Sequence, residues 1–241
     1  MNKLLNSLII CTIFLGISKP AKAMPIQFFG EDLDANMGAN SSFVPNGNAV
    51  DAQNDFLSRL SDINTADFES STLGVSTHRL SFAGSTGTIE GILRSNRGSY
   101  VSNGSSGAFP TSGSQLWGSG SRFSIEFETP IVALGFFVQD IEVNPLSLQL
   151  DLVGGGTKDI LIPSTVRAPN GGLTYFGFID KDQPFTRVTF LEPTRGDGYG
   201  FDDITVAEQV QSVPEPSTIL GTFMALGFGA LLKKKGAKKD N

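Results

Sequence analysis

The chain has 241 residues, 39% of them hydrophobic, with one histidine, one cysteine and a formal net charge of −6. One thiol and one imidazole exclude a disulfide framework, a cysteine-built zinc site and a metal triad of histidines. With so few such groups, catalysis has little material to work with.

The N-terminus, MNKLLNSLIICTIFLGISKPAKA, sets Lys3 before an apolar segment and ends on Ala21, Lys22 and Ala23. A positive start, an apolar core shorter than the roughly 20 residues of a spanning helix, and small residues at minus three and minus one make a secretory signal peptide of residues 1–23, cleaved after Ala23. Cys11 leaves with it, so the exported chain begins at Met24 without a thiol. Removing the charges of both terminal segments from the 18 basic and 24 acidic residues leaves 10 basic against 22 acidic, a body of about −12. Such a surface repels nucleic acid and anionic membrane, and suits neutral ligands or divalent cations.

Residues 24–49 show no clear period. Val50 to Ile63 places Ala52, Phe56, Leu57, Leu60 and Ile63 at helical spacing, with Asp51 as N-cap, so 24–63 reads as an N-terminal segment with one short helix. Strands follow. FSIEFE (Phe123 to Glu128) and LSLQLDLV (Leu146 to Val153) alternate apolar with polar, and IVALGFFV (Ile131 to Val138) is an apolar run. Gly154 to Gly156 separate Leu146–Val153 from TKDILIP as a hairpin loop does. Further strands are predicted at Leu80–Ala83, Thr88–Leu93, Leu173–Asp180, Phe185–Leu191 and Phe201–Ala207. The prediction is an all-β ectodomain over 64–210, an antiparallel β-sandwich of two sheets and of jelly-roll type.

Arg97 to Arg122 is rich in Gly and Ser and carries Trp117, Tyr100 and Phe109. Aromatics beside small polar residues stack on sugar rings or anchor a loop in the core, and the second reading is preferred. His78 has no second histidine or cysteine to work with, GGGTKD lacks the spacing of a phosphate loop, and Glu126 and Glu128 share one strand face instead of flanking a bond. In GYGFDDITVAE, strict alternation puts Asp202 on the core face with Ile204 and Val206, and Asp203 with Phe201 and Thr205. A buried carboxylate needs a partner, an arginine such as Arg187 or a cation.

The chain ends with VPEPS (Val213 to Ser217), 15 uncharged residues from Thr218 to Leu232, and Lys233, Lys234 and Lys235. The lysines stay cytoplasmic, which leaves the body outside the plasma membrane. Residues 211–241 resemble the sorting signal of PEP-CTERM proteins: Pro-Glu-Pro, an apolar transmembrane helix and a basic tip. The resemblance implies recognition of Pro214, Glu215 and Pro216 by an exosortase, a transient hold on the plasma membrane, and delivery to the cell surface.

The body resembles the same class at NTADFESSTLG (Asn64 to Gly74), similar to a Phe-Glu opening strand, and at Gly196 to Glu208, similar to its closing strand. These ectodomains are similar in outline to galactose-binding-like and carbohydrate-binding sandwiches. The resemblance also implies a structural calcium ion at Glu69, Asp202 and Asp203. The expected function is that of a non-enzymatic surface or matrix protein with a structural or adhesive role. A module binding exopolysaccharide is the alternative, and a secreted hydrolase the third reading.

Overall fold

The computed structural model describes residues 24–33, 35, 47–95, 98–104, 108–141, 146–165, 172–191 and 198–211. The expected signal peptide with Ala23, and the tail with Pro214, Glu215, Pro216 and the apolar run, lie outside the described residues. In chain order the elements are β1 (Ile26–Asp32), α1 (Asn48–Leu57), β2 (Asn64–Ala66), β3 (Thr77–Ala83), β4 (Thr88–Ser95), β5 (Ser99–Ser102), β6 (Leu116–Ser119), β7 (Phe123–Ile131), β8 (Ala133–Gln139), β9 (Ser147–Leu152), β10 (Thr157–Leu161), β11 (Leu173–Ile179), β12 (Phe185–Leu191) and β13 (Tyr199–Ala207).

The strands pair antiparallel in the order β1-β11-β8-β13-β2-β3-β4-β7-β12-β9-β10, with β6 also on β13 and β5 on β6. The two sheets expected from the sequence are therefore one sheet, continuous through β2, which holds β13 by three residue pairs and β3 by one. The sheet curls until its halves face each other. Phe136 of β8 meets Phe190 of β12 at 5.1 Å between ring centroids, Phe178 of β11 meets Phe185 of β12 at 5.5 Å, and Phe201 of β13 meets Phe123 of β7 at 5.0 Å. Interlocked aromatic rings thus join the halves of a body that has no disulfide to close it.

The outer faces of the two halves differ, and the hydrophobic pattern follows. On β7, buried Phe123, Ile125 and Phe127 alternate with outward Ser124, Glu126 and Glu128. On β8 and β11 every position is buried, because α1 covers their outer face. Phe56 of α1 stands over Gly135 and Gly177, which face each other across β8 and β11. A Cβ at either position would lie 2.7 or 2.8 Å from the Phe56 ring, so this contact requires glycine at both positions. Phe28 and Tyr175 complete the seat, their ring centroids 5.6 and 6.0 Å from that of Phe56.

α1 spans Asn48–Leu57, not Val50–Ile63, and Asp51 lies in its first turn instead of capping it. The cap comes from β1: the Asp32 carboxylate accepts the N–H groups of Asn48 and Ala49, both at 2.9 Å. Beyond Leu57 the chain turns through Ser58 and Arg59, and Leu60 bridges to Val210, which removes the last residues of the helical pattern. β1 occupies a stretch in which the sequence shows no period. As an edge strand half covered by the helix, it is neither one-face wet nor wholly dry. Ile26, Ile179, Ala133 and Ala207 line up in one rung, so β1 begins and β13 ends at the same end of the sandwich.

Phe56→Ala empties the glycine seat and is expected to cost about 3–5 kcal/mol, whereas Phe29→Ala, at a side chain 40% exposed, should cost far less. Urea unfolding of the two variants decides: equal losses would show that the helix is held by something other than this seat.

Candidate functional site

Two regions carry the polar chemistry of the described residues: a cradle of carboxylates under residues 108–115, and the uncovered face of β3-β4-β7-β12-β9-β10.

In the cradle, Asp202 of β13 pairs with Phe137 of β8, and a bulge follows in which Asp203 takes φ +47 before pairing resumes at Thr205 opposite Gly135. The extra residue resets the alternation. Phe201, Ile204 and Val206 all enter the core, and Asp202 turns to the opposite face, contrary to the placement with Ile204 and Val206. There its Oδ2 accepts the Thr111 N–H at 2.7 Å, the Thr111 hydroxyl at 3.0 Å and the Ser112 N–H at 3.1 Å, while Oδ1 accepts the Asp203 N–H at 2.8 Å. Asp203 accepts the Ser112 hydroxyl at 2.6 Å and lies 2.9 Å from the Thr111 hydroxyl, whose single proton it shares with Asp202. Glu69 accepts the N–H groups of Ser114 at 2.7 Å and Gln115 at 2.6 Å, and the Ser114 hydroxyl at 2.9 Å. Gly113 between them has φ +54, and a Cβ there would lie 2.3 Å from the Glu69 carboxyl carbon.

The structure therefore brings Glu69, Asp202 and Asp203 around one loop, Thr111 to Ser114, whose N–H and hydroxyl groups supply the donors. Among the described residues no arginine meets Asp202: Arg187 pairs with Asp151 at 3.1 Å and Glu126 at 3.6 Å. Burial and then the Asp203 charge push Asp202 up to about 8, against the lowering pull of the three N–H groups. Burial also raises Asp203, with the Asp67 and Glu69 charges adding to it. Burial acts on Glu69 in the same direction, but the Ser114 and Gln115 N–H groups hold it below its ordinary value. Among the described residues no three carboxylate, imidazole or thiol groups are placed to hold a metal ion together.

Trp117 is fully buried and stacks on Phe68 at 6.4 Å and 23°, so it anchors the core, the reading preferred from the sequence. Phe68, at φ +63, and Glu69 lie in a turn; the opening strand is only Asn64–Ala66. Tyr100 is 48% exposed, on β5. The His78 Nε2 meets the Ser71 hydroxyl at 2.8 Å, and burial lowers its pKa. Among the described residues no carboxylate is bonded to the imidazole, so the pair lacks the third group that orients a base toward a nucleophile.

The uncovered face was legible only as polar positions on separate strands. Register assembles them. Thr77, Arg94, Ser124, Thr189, Gln149 and Asp159 align in one rung across β3, β4, β7, β12, β9 and β10. Arg79, Ile92, Glu126, Arg187, Asp151 and Thr157 form the next. Five strand spacings of about 4.8 Å make each rung roughly 24 Å long. Glu126 and Glu128 lie side by side on this face, as expected of a polar surface, and Glu128 takes the Arg79 guanidinium at 2.7 Å.

No protein-family model and no curated protein matches the chain. Among solved structures, a point mutant of a family 29 carbohydrate-binding module is similar over 60% of this chain and 90% of that one, at 15% identity and a TM-score of 0.34. TmCBM61 in complex with β-1,4-galactotriose is similar over 60% and 95%, at 11% identity and a TM-score of 0.31. A family 11 carbohydrate-binding module from Clostridium thermocellum, in complex with a β-1,3-1,4-mixed-linked tetrasaccharide, is similar over 63% and 98%, at 9% identity and a TM-score of 0.28. Scores this low transfer no residue and no ligand to this chain.

The cradle has a pH signature. A carboxyl whose folded-state pKa lies above its unfolded value binds its proton more tightly when folded, so its contribution is full below the unfolded pKa of 3.8 and is lost as pH rises to about 8. Between pH 5 and 8, Asp202 is expected to contribute a fall in stability of up to about 1.4 kcal/mol per pH unit, and this fall should lessen in Asp202→Asn, where the raised Asp203 remains. Urea unfolding across that range measures it; a stability that rises with pH in the native chain would show Asp202 to be comfortably ionised.

Proposed function

We propose that the chain is an exported, non-catalytic module that binds extracellular polysaccharide through the uncovered face of β3-β4-β7-β12-β9-β10. The observation that carries this reading is the pair of adjacent rungs, six strands wide, that present hydroxyl, amide, carboxylate and guanidinium groups with no element packed over them among the described residues. A sugar polymer is a row of hydroxyl groups at a repeat close to the spacing between strands, so each strand offers a partner to about one sugar unit. With Trp117 inside the core, recognition rests on hydrogen bonds instead of on tryptophan stacking. A purely structural role makes no demand on this face; grip on a polymer makes the module adhesive.

Electrophoresis of the full chain through gels containing neutral and acidic polysaccharides tests the reading. Retardation by at least one polymer is expected, weakened about tenfold in affinity when Ser124, Thr189 and Gln149 are replaced together by alanine. Mobility unaffected by every polymer overturns it.

Delivery is a second part of the proposal. An exosortase recognises Pro214, Glu215 and Pro216, the tail holds the chain in the plasma membrane for a time, and the body ends at the cell surface. The tripartite tail and the N-terminal signal support it, and so does the common end from which β1 starts and β13 leaves. Alanines at Pro214, Glu215 and Pro216 should leave export intact and trap the protein in the membrane fraction; unchanged surface delivery removes the sorting role.

Calcium at Glu69, Asp202 and Asp203 is a separate proposal, in which the ion takes the place of some of the loop's donors. Occupancy at a hundredfold above Kd raises stability by ~2.7 kcal/mol. Equal thermal midpoints in calcium and in chelator leave the hydrogen-bonded cradle as the whole account.

A further inference from the structure

We infer that the polymer is acidic: the face carries a carboxylate-binding subsite built from Arg94, Arg122 and Arg187, selective for polysaccharides that contain uronic acid units. This rests on the polysaccharide reading above. A body of about −12 has no general attraction for a polyanion, so an acidic chain must be recognised locally. The structure gathers the means. Of the seven basic side chains among the described residues of the body, three line one groove of about 330 Å³ on the uncovered face.

The groove has a marked charge imbalance. Its lining holds three guanidinium groups and one carboxylate, Glu126, which lies 3.6 Å from Arg187. Arg187 is also tied to Asp151 at 3.1 Å, so its planar fork is fixed in place. Arg94 on β4 and Arg122 just before β7 have no ion pair among the described residues, unlike Arg79, Lys158 and Arg187. Two guanidinium groups in one groove, neither ion-paired among the described residues, raise the local potential and keep their N–H donors available to an anion. A guanidinium pairs with a carboxylate through two parallel hydrogen bonds. Between the arginines lie the hydroxyls of Ser124 and Thr189, adjacent in register and suited to the ring hydroxyls of the same sugar unit. A carboxylate flanked by hydroxyls is the chemistry of a uronic acid.

The groove also faces the right way. β7 runs from Phe123 to Ile131 and passes through Val132 into β8, whose first residue Ala133 belongs to the rung from which β13 leaves. Arg122 and Ser124 stand at the far end of β7, about 30–36 Å along the chain from that corner at 3.3 Å per residue.

The test measures binding of the full chain to three polymers: polygalacturonate, its carboxyl-reduced product, and dextran. Polygalacturonate should bind most tightly and lose affinity with added salt. The Arg94→Ala, Arg122→Ala double variant should lose at least about tenfold for polygalacturonate alone, with an unchanged thermal midpoint; lysines at both positions should recover part of it. Arg59→Ala, outside the groove, should bind as the native chain does. Equal affinity for polygalacturonate and its reduced product, or an undiminished double variant, overturns the acidic subsite and leaves the polysaccharide reading standing. Failure to bind any of the three, or any gel polymer above, overturns both.

Discussion

The seat of Phe56 on the glycine pair Gly135–Gly177 decides which side of this sandwich is dry. Side chains at those two positions would hold the helix off the sheet. Without the helix, Phe137, Tyr175 and Ala133 would be left exposed on the outer face of β8 and β11. The contact therefore licenses the unbroken apolar runs of these two strands, which would otherwise be an aggregation hazard. The capping of α1 by Asp32 makes the arrangement self-consistent, since β1 both extends the covered half by pairing with β11 and fixes where its cover begins. Among the described residues the other half receives no cover, and its alternation is the imprint of that fact. Function follows from the asymmetry: the polymer-binding face proposed above is the one that the helix does not reach.

The carboxylate cradle shows a different economy. A body rich in acids buries Asp202 completely, and among the described residues no cationic side chain meets it. It supplies N–H and hydroxyl donors instead, and these come only from a chain of small residues bent tightly enough to aim successive groups inward. That is the role of Thr111, Ser112, Gly113 and Ser114, a stretch whose composition reads equally well as a solvent-facing loop. The balance is close. Donors favour the anion, whereas burial and Asp203 oppose it, so the cradle holds best when a proton is present.

Legibility divides along the same physical lines. Nine strands and the Gly154–Gly156 hairpin were visible because hydrophobic alternation and turn glycines are local signals. β1, β5 and β6 were not visible, because they are short or lie where covering elements blur the two faces, and β2 was visible only through a resemblance, as a longer opening strand. The helix could be seen but not bounded, since its cap is an aspartate 16 residues upstream in another element. The pairing of Glu69 with Asp202 and Asp203 near one site came from a resemblance. What holds them together did not, because one bulge residue at φ +47 turned Asp202 to the other face. Arg187, expected as a partner for Asp202, belongs to the open face, two strands away from β7's partner β4.

Net charge says the least about local recognition, and for an instructive reason. A formal body charge of about −12 describes the potential far from the molecule, where the contributions sum, but recognition happens within a Debye length of roughly 8–10 Å, where only neighbours count. Within that radius the rung geometry determines the sign, because residues far apart in sequence, such as Arg94 and Thr189, become neighbours only through register. An acidic body with a basic groove has a consequence that a uniformly basic one lacks: its charge opposes polyanions everywhere except at the proposed subsite. That repulsion is what turns attraction for carboxylates into selection among them.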